Sequence, residues 1–324
     1  MPQGFRRGND MVTEPEGESQ KPGIGHMLDV CLSVVAWNGR DLLRSCLESV
    51  FNTARKVSFS VVVVDNASTE DVQGMLRKDF PRVEIIRNGC NAGFARANNQ
   101  VLRRYSGKAR YFLLLNPDTV VASGAIDDVV AYMDEHPEAG VIGCKLTKPD
   151  GTLDWPCKRS FLTPSMFLYR ALHLDTLFPN SPRFGKYQLT YLDENQIHEV
   201  DSVVGAFLMI RAETVQQIGL LDEQFYMYGE DLDWCYRARR AGWKVVYYPE
   251  ARVAHYKSQS SNKRSYFMIC WWYKALWLVY RRHCASQYHF LLNSSVWAGL
   301  YGMCGLSLAR NFFRSQKRIP SRTT

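Results

Sequence analysis

The chain has 324 residues, which is enough for one large α/β domain with an appendage or for two modest domains. Its nine cysteines form no C-x-x-C pair and no regular spacing, which argues against a disulfide-stabilised scaffold and favours reduced thiols. The net charge of +8 arises at one end, because residues 251–324 contain 12 basic residues and no acidic residue. The body is therefore mildly acidic, and any attraction to anionic lipid or nucleic acid is expected from the tail alone.

The N-terminal segment 1–27 is polar and rich in glycine, glutamate and proline, which predicts a disordered tail. Arg6 and Arg7 are not followed by an apolar segment, so no secretory signal peptide is expected. The folded part is expected to begin at residue 28.

Residues 28–262 alternate continuous apolar runs with segments in which apolar residues recur at helical spacing. The apolar runs predict strands at 29–37, 58–68, 83–88 and 109–119. The helical patterns lie at 39–54, 93–105 and 124–137. Apolar strands that alternate with amphipathic helices predict an α/β fold, with a Rossmann-like, mostly parallel sheet and helices on both faces.

Polar side chains follow three of these predicted strands. Asn38 follows the first, Asp65 and Asn66 end the second, and Asn116-Pro117-Asp118 ends the fourth. Asn and Asp are common in turns, so each strand end alone is equally compatible with a simple turn. Ligands of such sheets bind outside the carboxyl ends of the strands, so three polar ends together favour a binding crevice.

The segment CNAGFARANN at 90–99 adds a glycine-containing turn into a helix, whose free N–H groups suit a phosphate. The chain contains neither G-x-G-x-x-G nor G-x-x-x-x-G-K-[ST]. The absence of both motifs argues against an ordinary dinucleotide site and against a P-loop.

A cluster of carboxylates lies in FYMYGEDLDWCYRARRAGW at 225–243, where Glu230, Asp231 and Asp233 fall within four residues. One interpretation is architectural, since acids in the first turn of a helix interact favourably with its dipole and its free N–H groups. The other is chemical, since a carboxylate beside a pocket can accept a proton from a hydroxyl nucleophile. The segment alone leaves both interpretations open.

The C-terminal region combines aromatic, apolar and basic residues. Residues 266–283 are almost wholly aromatic and apolar around Lys274, Arg281 and Arg282, and 290–309 contains no charge. The latter run is long enough to span a bilayer, but its serines, asparagine and glycines weaken that interpretation. We predict that 263–324 is a basic, aromatic, helical region that associates with the membrane at its interface or as a re-entrant segment. A buried core helix pair is the alternative, and nucleic acid is not an expected partner.

Five segments of the body carry a family resemblance: SVVAWNG, VVVVDNAST, NAGFARANN, LLLNPD and YGEDLDWCYRARRAGW. In this order and spacing they resemble the family 2 inverting glycosyltransferases with the GT-A fold. Within that family the chain is most similar to bacterial rhamnosyltransferases of cell-envelope polysaccharide synthesis. The resemblance covers about 28–257, and it is specific as a set of five segments, whereas no single segment would be.

The resemblance implies a nucleotide-sugar site at the strand ends. The residues implied to contact the nucleotide or its sugar are Ala36, Asn38, Asp65, Asn91, Gly93, Phe94, Asn98 and Gly205. Asp118 and His255 are the implied ligands of a divalent cation, Mg²⁺ or Mn²⁺, that bridges the pyrophosphate. The family's D-x-D motif is here Asn116-Pro117-Asp118, so a single carboxylate is retained, which suffices when phosphate oxygens and water complete the coordination.

The resemblance also assigns roles to the carboxylates. Asp231 is the implied catalytic base, Glu230 positions the acceptor, and Asp233 is expected to cap the helix. The implied enzyme is an inverting, metal-assisted glycosyltransferase at the cytoplasmic face of the membrane, as a peripheral or monotopic protein. It would transfer L-rhamnose from dTDP-L-rhamnose to a lipid-linked or polymeric saccharide.

Three alternatives stay open at this point. One is a UDP-hexose donor, and another is a non-catalytic membrane scaffold that retains a nucleotide-binding fold. The third is a nucleotidyltransferase, which is disfavoured because no G-x-G-T-R-like loop occurs near the N-terminus. The oligomeric state is not predicted.

Overall fold

A computed structural model of the chain describes residues 27–256 and 266–316. The predicted tail up to residue 26, the predicted domain boundary at 262–263 and the last eight residues lie outside this description. The strands are β1 (Leu28–Ala36), β2 (Phe59–Asp65), β3 (Glu84–Arg87), β4 (Ala109–Leu115), β5 (Thr119–Val121), β6 (Ala139–Thr147), β7 (His198–Glu199), β8 (Phe207–Arg211) and β9 (Lys244–His255). The helices are α1 (Arg40–Thr53), α2 (Val72–Asp79), α3 (Phe94–Arg104), α4 (Ala125–Glu135), α5 (Pro164–Ala171), α6 (Leu174–Leu177), α7 (Ala212–Ile218), α8 (Glu230–Arg240), α9 (Tyr266–His283) and α10 (Phe290–Gln316).

Eight of these strands follow one another across a mixed sheet in the order β3-β2-β1-β4-β8-β6-β9-β5, and β7 pairs with β9. The first four strands of this order are parallel, as the sequence predicted. Strand β8 runs antiparallel to both β4 and β6, so the sheet as a whole is mixed rather than mostly parallel. Between β6 and β8 the chain forms α5, α6 and β7, so this connection differs from the single-helix crossover that joins parallel neighbours.

Helices cover both faces of the sheet. Consecutive residues are buried along β1, β2, β4 and β6, whereas a strand with one free face would alternate buried and exposed residues. The predicted strand at 109–119 is divided in two, because the chain turns at Asn116–Asp118 between β4 and β5. All nine cysteines are free.

The C-terminal helices differ in how they pack. Ala275 and Val279 of α9 are buried against Phe225 and Leu232, so α9 belongs to the core around α8. Helix α10 packs on α9 but exposes much of its apolar side to solvent. Within 27–256 and 266–316, no helix has the length and hydropathy that crossing a bilayer requires.

Candidate active site

The carboxyl end of β2 opens on a cleft of about 520 Å³, which Asp65, Gln73, Arg77 and Arg87 line together with the 68–71 loop. Asp65 is buried, and its Oδ1 accepts a hydrogen bond from the backbone N–H of Ser68 at 2.9 Å. Its Oδ2 accepts one from Gln73 Nε2 at 3.2 Å. The cleft therefore offers both a fixed carboxylate and two guanidinium groups to a polar ligand.

The end of β1 is tied to the same loop. The carbonyl of Ala36 accepts a hydrogen bond from the Asn66 N–H at 2.8 Å. Asn38 has a left-handed backbone, with φ of 61°, and its Oδ1 accepts a hydrogen bond from the Thr69 N–H at 2.8 Å. Its own N–H donates to Ser68 Oγ at 2.9 Å. Asn38 thus joins the loops that follow β1 and β2 into one rim.

Asn66 fixes the turn that leads into α3. Its Nδ2 donates to Asn91 Oδ1 at 2.9 Å, and its Oδ1 accepts from the Ala92 N–H at 3.0 Å. Gly93 has φ of 84°, and a Cβ there would collide with the carbonyl oxygen of Tyr226. Glycine is therefore required where this turn approaches the 225–229 loop.

Phe94 connects the turn to the carboxylate cluster. Its N–H donates to the carbonyl of Tyr226 at 2.7 Å, and its ring lies 3.4 Å from the position of a Cβ on Gly205. Asn98 is fully buried, accepts a hydrogen bond from Ser33 Oγ at 2.6 Å and donates to the Phe94 carbonyl at 3.0 Å. Asn98 therefore holds α3 against β1 and does not face the cleft in this structure.

The turn at 116–118 is held beside Gly205. The Asn116 N–H donates to the carbonyl of Ala206 at 3.0 Å, and Thr119 Oγ1 donates to the Asn116 carbonyl at 2.7 Å. Gly205 in turn donates its N–H to Asp231 Oδ2 at 3.2 Å. A continuous set of contacts thus links the Asp118 turn, the start of α8 and the end of β2.

Helix α8 begins at Glu230, directly after Gly229 with φ of 85°. Both Glu230 and Asp231 therefore lie in its first turn, as the architectural interpretation predicted. The residue before the helix is a glycine and has no side chain to cap it, but Asp231 Oδ1 accepts a hydrogen bond from the Leu232 N–H at 2.7 Å. Asp231 therefore satisfies one N–H group of the first turn, and its Oδ2 is left for a further role.

Asp231 forms a buried ion pair that the sequence did not predict. Its Oδ2 lies 2.7 Å from Arg159 Nη2, and both side chains are less than a tenth exposed. Glu230 is also buried, and its Oε2 has no hydrogen-bond partner among the described residues. Two causes raise the pKa of Glu230 above its ordinary value: burial, which is the larger, and repulsion from the charge of Asp231. The site therefore combines a carboxylate paired with arginine and a second carboxyl that holds its proton more tightly.

Asp233 does not cap the helix, so that expectation was wrong. Its carboxylate is fully buried between Arg237 Nε at 2.9 Å and His283 Nε2 at 2.7 Å. The sequence could not show this, because His283 lies on α9 and is 50 residues away. Asp233 joins α8 to the C-terminal helix α9.

The two implied metal ligands are adjacent. His255 ends β9, and its Nε2 lies 3.3 Å from Asp118 Oδ1. Its Nδ1 lies 3.1 Å from Asp154 Oδ2. Burial opposes a charge on the imidazole, but the hydrogen bonds to both carboxylates outweigh burial and raise the pKa of His255. Among the described residues, no three His, Cys, Asp or Glu side chains converge as a complete metal site.

Sequence reasoning missed Arg159 and Asp154. Arg159 lies 72 residues from its partner, and Asp154 lies 101 residues from His255. Neither residue belongs to a motif with a fixed spacing. A buried position cannot be inferred for either residue from its neighbours in the chain.

Two relatives are similar over most of their length. N-acetylglucosaminyl-diphospho-decaprenol L-rhamnosyltransferase of Mycobacterium tuberculosis is 27% identical over 264 residues, which cover 73% of this chain and 84% of the relative. Rhamnosyltransferase WbbL of Escherichia coli is 24% identical over 272 residues, which cover 82% and 94%.

Solved structures share the fold at low sequence identity. The crystal structure of GalNAc-T7 with UDP, GalNAc and Mn²⁺ has a TM-score of 0.56 at 17% identity, covering 79% of this chain and 48% of that one. Staphylococcus aureus TarS 1–349 has a TM-score of 0.52 at 14% identity, covering 85% and 71%. These likenesses show a GT-A-like arrangement of a central sheet and helices.

A family model, described as glycosyltransferase-like family 2, matches residues 28–273. This range holds every residue of the site described above except His283, the partner of Asp233. The chain therefore belongs to glycosyltransferase family 2 and is a glycosyltransferase.

Proposed function

We propose that the chain is an inverting, metal-assisted rhamnosyltransferase that transfers L-rhamnose from dTDP-L-rhamnose to a lipid-linked or polymeric saccharide. The relatives named as rhamnosyltransferases support the sugar, and the decaprenol-linked relative supports a lipid-linked acceptor. The observation that carries the chemistry is the buried Asp231, which Arg159 and Gly205 fix beside the Phe94 ring.

In the proposed step, the oxygen of the acceptor hydroxyl attacks the anomeric carbon from the face opposite the diphosphate. A bond forms between these two atoms, and the bond from the anomeric carbon to the β-phosphate oxygen breaks. The nucleoside diphosphate leaves with the bonding electron pair, and Asp231 accepts the hydroxyl proton. A single displacement of this kind inverts the configuration of the anomeric carbon.

Glu230 is suited to position the acceptor. A carboxyl whose pKa is raised keeps its proton to a higher pH, and in that form it both donates and accepts hydrogen bonds. The unpartnered Oε2 leaves one such bond available. Neighbouring carboxyls with different environments are a recurring way to divide acid and base roles.

Asp118 and His255 would hold the divalent cation. Their facing atoms are 3.3 Å apart, and cis ligands about 2.1 Å from an octahedral cation are about 3.0 Å apart, so the pair fits. When bound, such a cation stabilises the negative charge that develops on the leaving diphosphate. Pyrophosphate oxygens and water would complete the coordination.

A donor screen tests the proposal. The full chain is incubated with dTDP-L-rhamnose, UDP-glucose, UDP-galactose or UDP-N-acetylglucosamine and an N-acetylglucosaminyl-diphospholipid, and release of nucleoside diphosphate is measured with and without EDTA. We expect the fastest, EDTA-sensitive release from dTDP-L-rhamnose, and NMR of the product should show inversion. Faster release from a UDP-hexose would select the alternative donor, and no release from any donor would favour the non-catalytic scaffold.

We further propose that the enzyme works at the cytoplasmic face of the membrane, with α10 lying in the interface. Residues 266–316 contain no acidic residue, and α10 exposes large apolar side chains. The exposed residues include Phe290, Leu291, Trp297, Leu306, Phe312 and Phe313. Exposed aromatic and aliphatic side chains with basic neighbours are typical of helices that bind anionic lipid surfaces.

Vesicle sedimentation tests this placement. We expect the full chain to sediment with phosphatidylcholine vesicles that contain phosphatidylglycerol, and less with phosphatidylcholine alone. A chain that ends at His289 should keep its fold and remain in the supernatant. If the full chain binds neither vesicle type and forms a dimer in ultracentrifugation, a second copy covers α10 and the proposed membrane placement is wrong.

A further inference from the structure

Three side chains from distant parts of the chain lie in contact, with a buried histidine between a buried and a partly exposed carboxylate. Asp118 lies in the turn between β4 and β5, His255 ends β9, and Asp154 follows β6. His255 lies between the two carboxylates, with Nδ1 3.1 Å from Asp154 and Nε2 3.3 Å from Asp118. Asp154 is 3% exposed and His255 is 6% exposed, so solvent does not compete for these contacts.

We propose that Asp154 is a positioning residue, which orients His255 so that its Nε2 lone pair faces a cation held jointly with Asp118. The inference rests on the metal assistance proposed above. It adds a residue that no motif of the sequence assigned. Asp154 itself would not touch the cation, because its near oxygen is directed at Nδ1.

The chemistry of imidazole supports this role. A neutral imidazole carries one proton, and a carboxylate beside Nδ1 keeps that proton on Nδ1. On the neutral ring the lone pair of Nε2 then faces the oxygen of Asp118. A shared cation can take the place there of the second proton that a charged imidazolium would donate to Asp118. A carboxylate on the far nitrogen of a metal-binding histidine also fixes the ring orientation and increases its basicity as a ligand.

The backbone of Asp154 makes two hydrogen bonds in its loop that do not involve the carboxylate. The backbone N–H of Asp154 donates to the Leu146 carbonyl at 2.8 Å, and its carbonyl accepts from the Cys157 N–H at 3.0 Å. Its side chain does not cap the short 3₁₀ turn at Trp155–Cys157. Asn at this position keeps both backbone bonds and places an amide, in place of a carboxylate, beside Nδ1 of His255.

The test measures cation binding directly. Mn²⁺ is titrated into the full chain with dTDP or UDP, and free Mn²⁺ is followed by electron paramagnetic resonance. We expect Asp154→Asn to raise the Mn²⁺ dissociation constant about 10–100-fold. We expect His255→Ala to raise it at least as much, and the double variant to add little because the two residues act as one unit.

Asp150→Asn is the matched control, since Asp150 is an exposed residue of the same loop and should leave Mn²⁺ binding unchanged. Nucleotide affinity in EDTA should stay close to wild type in Asp154→Asn, and its far-UV circular dichroism should show the native fold. An Asp154→Asn variant that binds Mn²⁺ as tightly as wild type overturns the inference alone. A wild type that binds no Mn²⁺ with either nucleotide overturns the proposed metal assistance as well.

A spectroscopic measurement keeps the inference testable if Asp154→Asn does not fold. Electron spin-echo modulation of Mn²⁺ bound to the wild-type chain should show ¹⁴N coupling from a coordinated imidazole. That coupling should vanish in His255→Ala and weaken in Asp154→Asn. Its absence from the wild type would show that His255 is not a ligand and would overturn the role of Asp154.

Discussion

The two adjacent carboxyls of α8 should respond in opposite ways to removal of their charge. Asp231→Asn keeps the size of the side chain but removes its capacity to accept a proton, which typically lowers turnover about 10²–10⁴-fold. The substitution also breaks a buried pair with Arg159 at 2.7 Å. Such a loss costs about 3–5 kcal/mol, and we expect about half of that because the amide oxygen still accepts from the guanidinium.

Glu230→Gln should be neutral or stabilising at pH 7. The pKa of Glu230 is raised from its ordinary value of 4.5, so the folded protein binds this proton more tightly than the unfolded chain does. The wild type therefore loses stability as the pH rises from 4.5 towards the folded-state pKa. Gln carries no such charge, so the variant should lack this loss, and its turnover should fall only mildly.

The assay follows nucleoside diphosphate release at saturating dTDP-L-rhamnose and acceptor, with donor affinity measured by calorimetry and stability by urea denaturation from pH 4 to 8. Asp231→Asn should keep donor affinity. Full turnover in Asp231→Asn, with a lowered stability, would show that the acid has only a structural role. A larger loss of turnover in Glu230→Gln would exchange the two roles and refute the argument from the Arg159 pair.

Two further substitutions test the frame of the site. Gly93→Ala should lower the free energy of unfolding by about 2–4 kcal/mol, because the new Cβ collides with Tyr226 and the residue has a positive φ. Gly107 also has a positive φ but lies in open space, so Gly107→Ala should lower it by only about 1–2 kcal/mol. Equal losses in urea denaturation would contradict the argument from close contact. Glu223→Gln should cost about 1–2 kcal/mol at pH 7, because hydrogen bonds led by that from Asn99 lower the pKa of Glu223 to about 2. The wild type holds this stability above pH 4.5 and loses it as the pH falls towards 2. The difference in unfolding free energy between wild type and Glu223→Gln should therefore shrink between pH 4.5 and 2. A constant difference from pH 7 to pH 3 would contradict the assignment of this stability to the Glu223 carboxylate.

The rim of the site was predictable because its signals are local. Asp65 and Asp118 each end an apolar run, and parallel strands bring such ends to one edge of a sheet. The start of α8 was predictable because a glycine precedes three acids. In each of these cases, residues within a few positions of one another determine the feature.

Strands β6 and β9 were not predicted, although they are among the longest in the sheet. Strand β6 contains two glycines and Lys145, and β9 contains Pro249 and Glu250, so neither gives a continuous apolar run. The pairing of the two strands shifts register between Cys144 and Lys145, opposite the segment that holds Pro249. A bulge of this kind accommodates a proline within a strand. From the local sequence alone, the same proline is evidence against a strand.

The expected division between a catalytic body and a detachable C-terminal region does not match the packing. Val279 of α9 lies against Gly229, directly before the helix that carries Asp231, and His283 holds Asp233 at 2.7 Å. A chain that ends at residue 265 would expose Phe225 and remove the α9 partners of a buried carboxylate, so it should lose stability near α8 itself. The proposed membrane-binding helix α10 should therefore be separable from the proposed catalytic residues between α9 and α10, at residues 284–289.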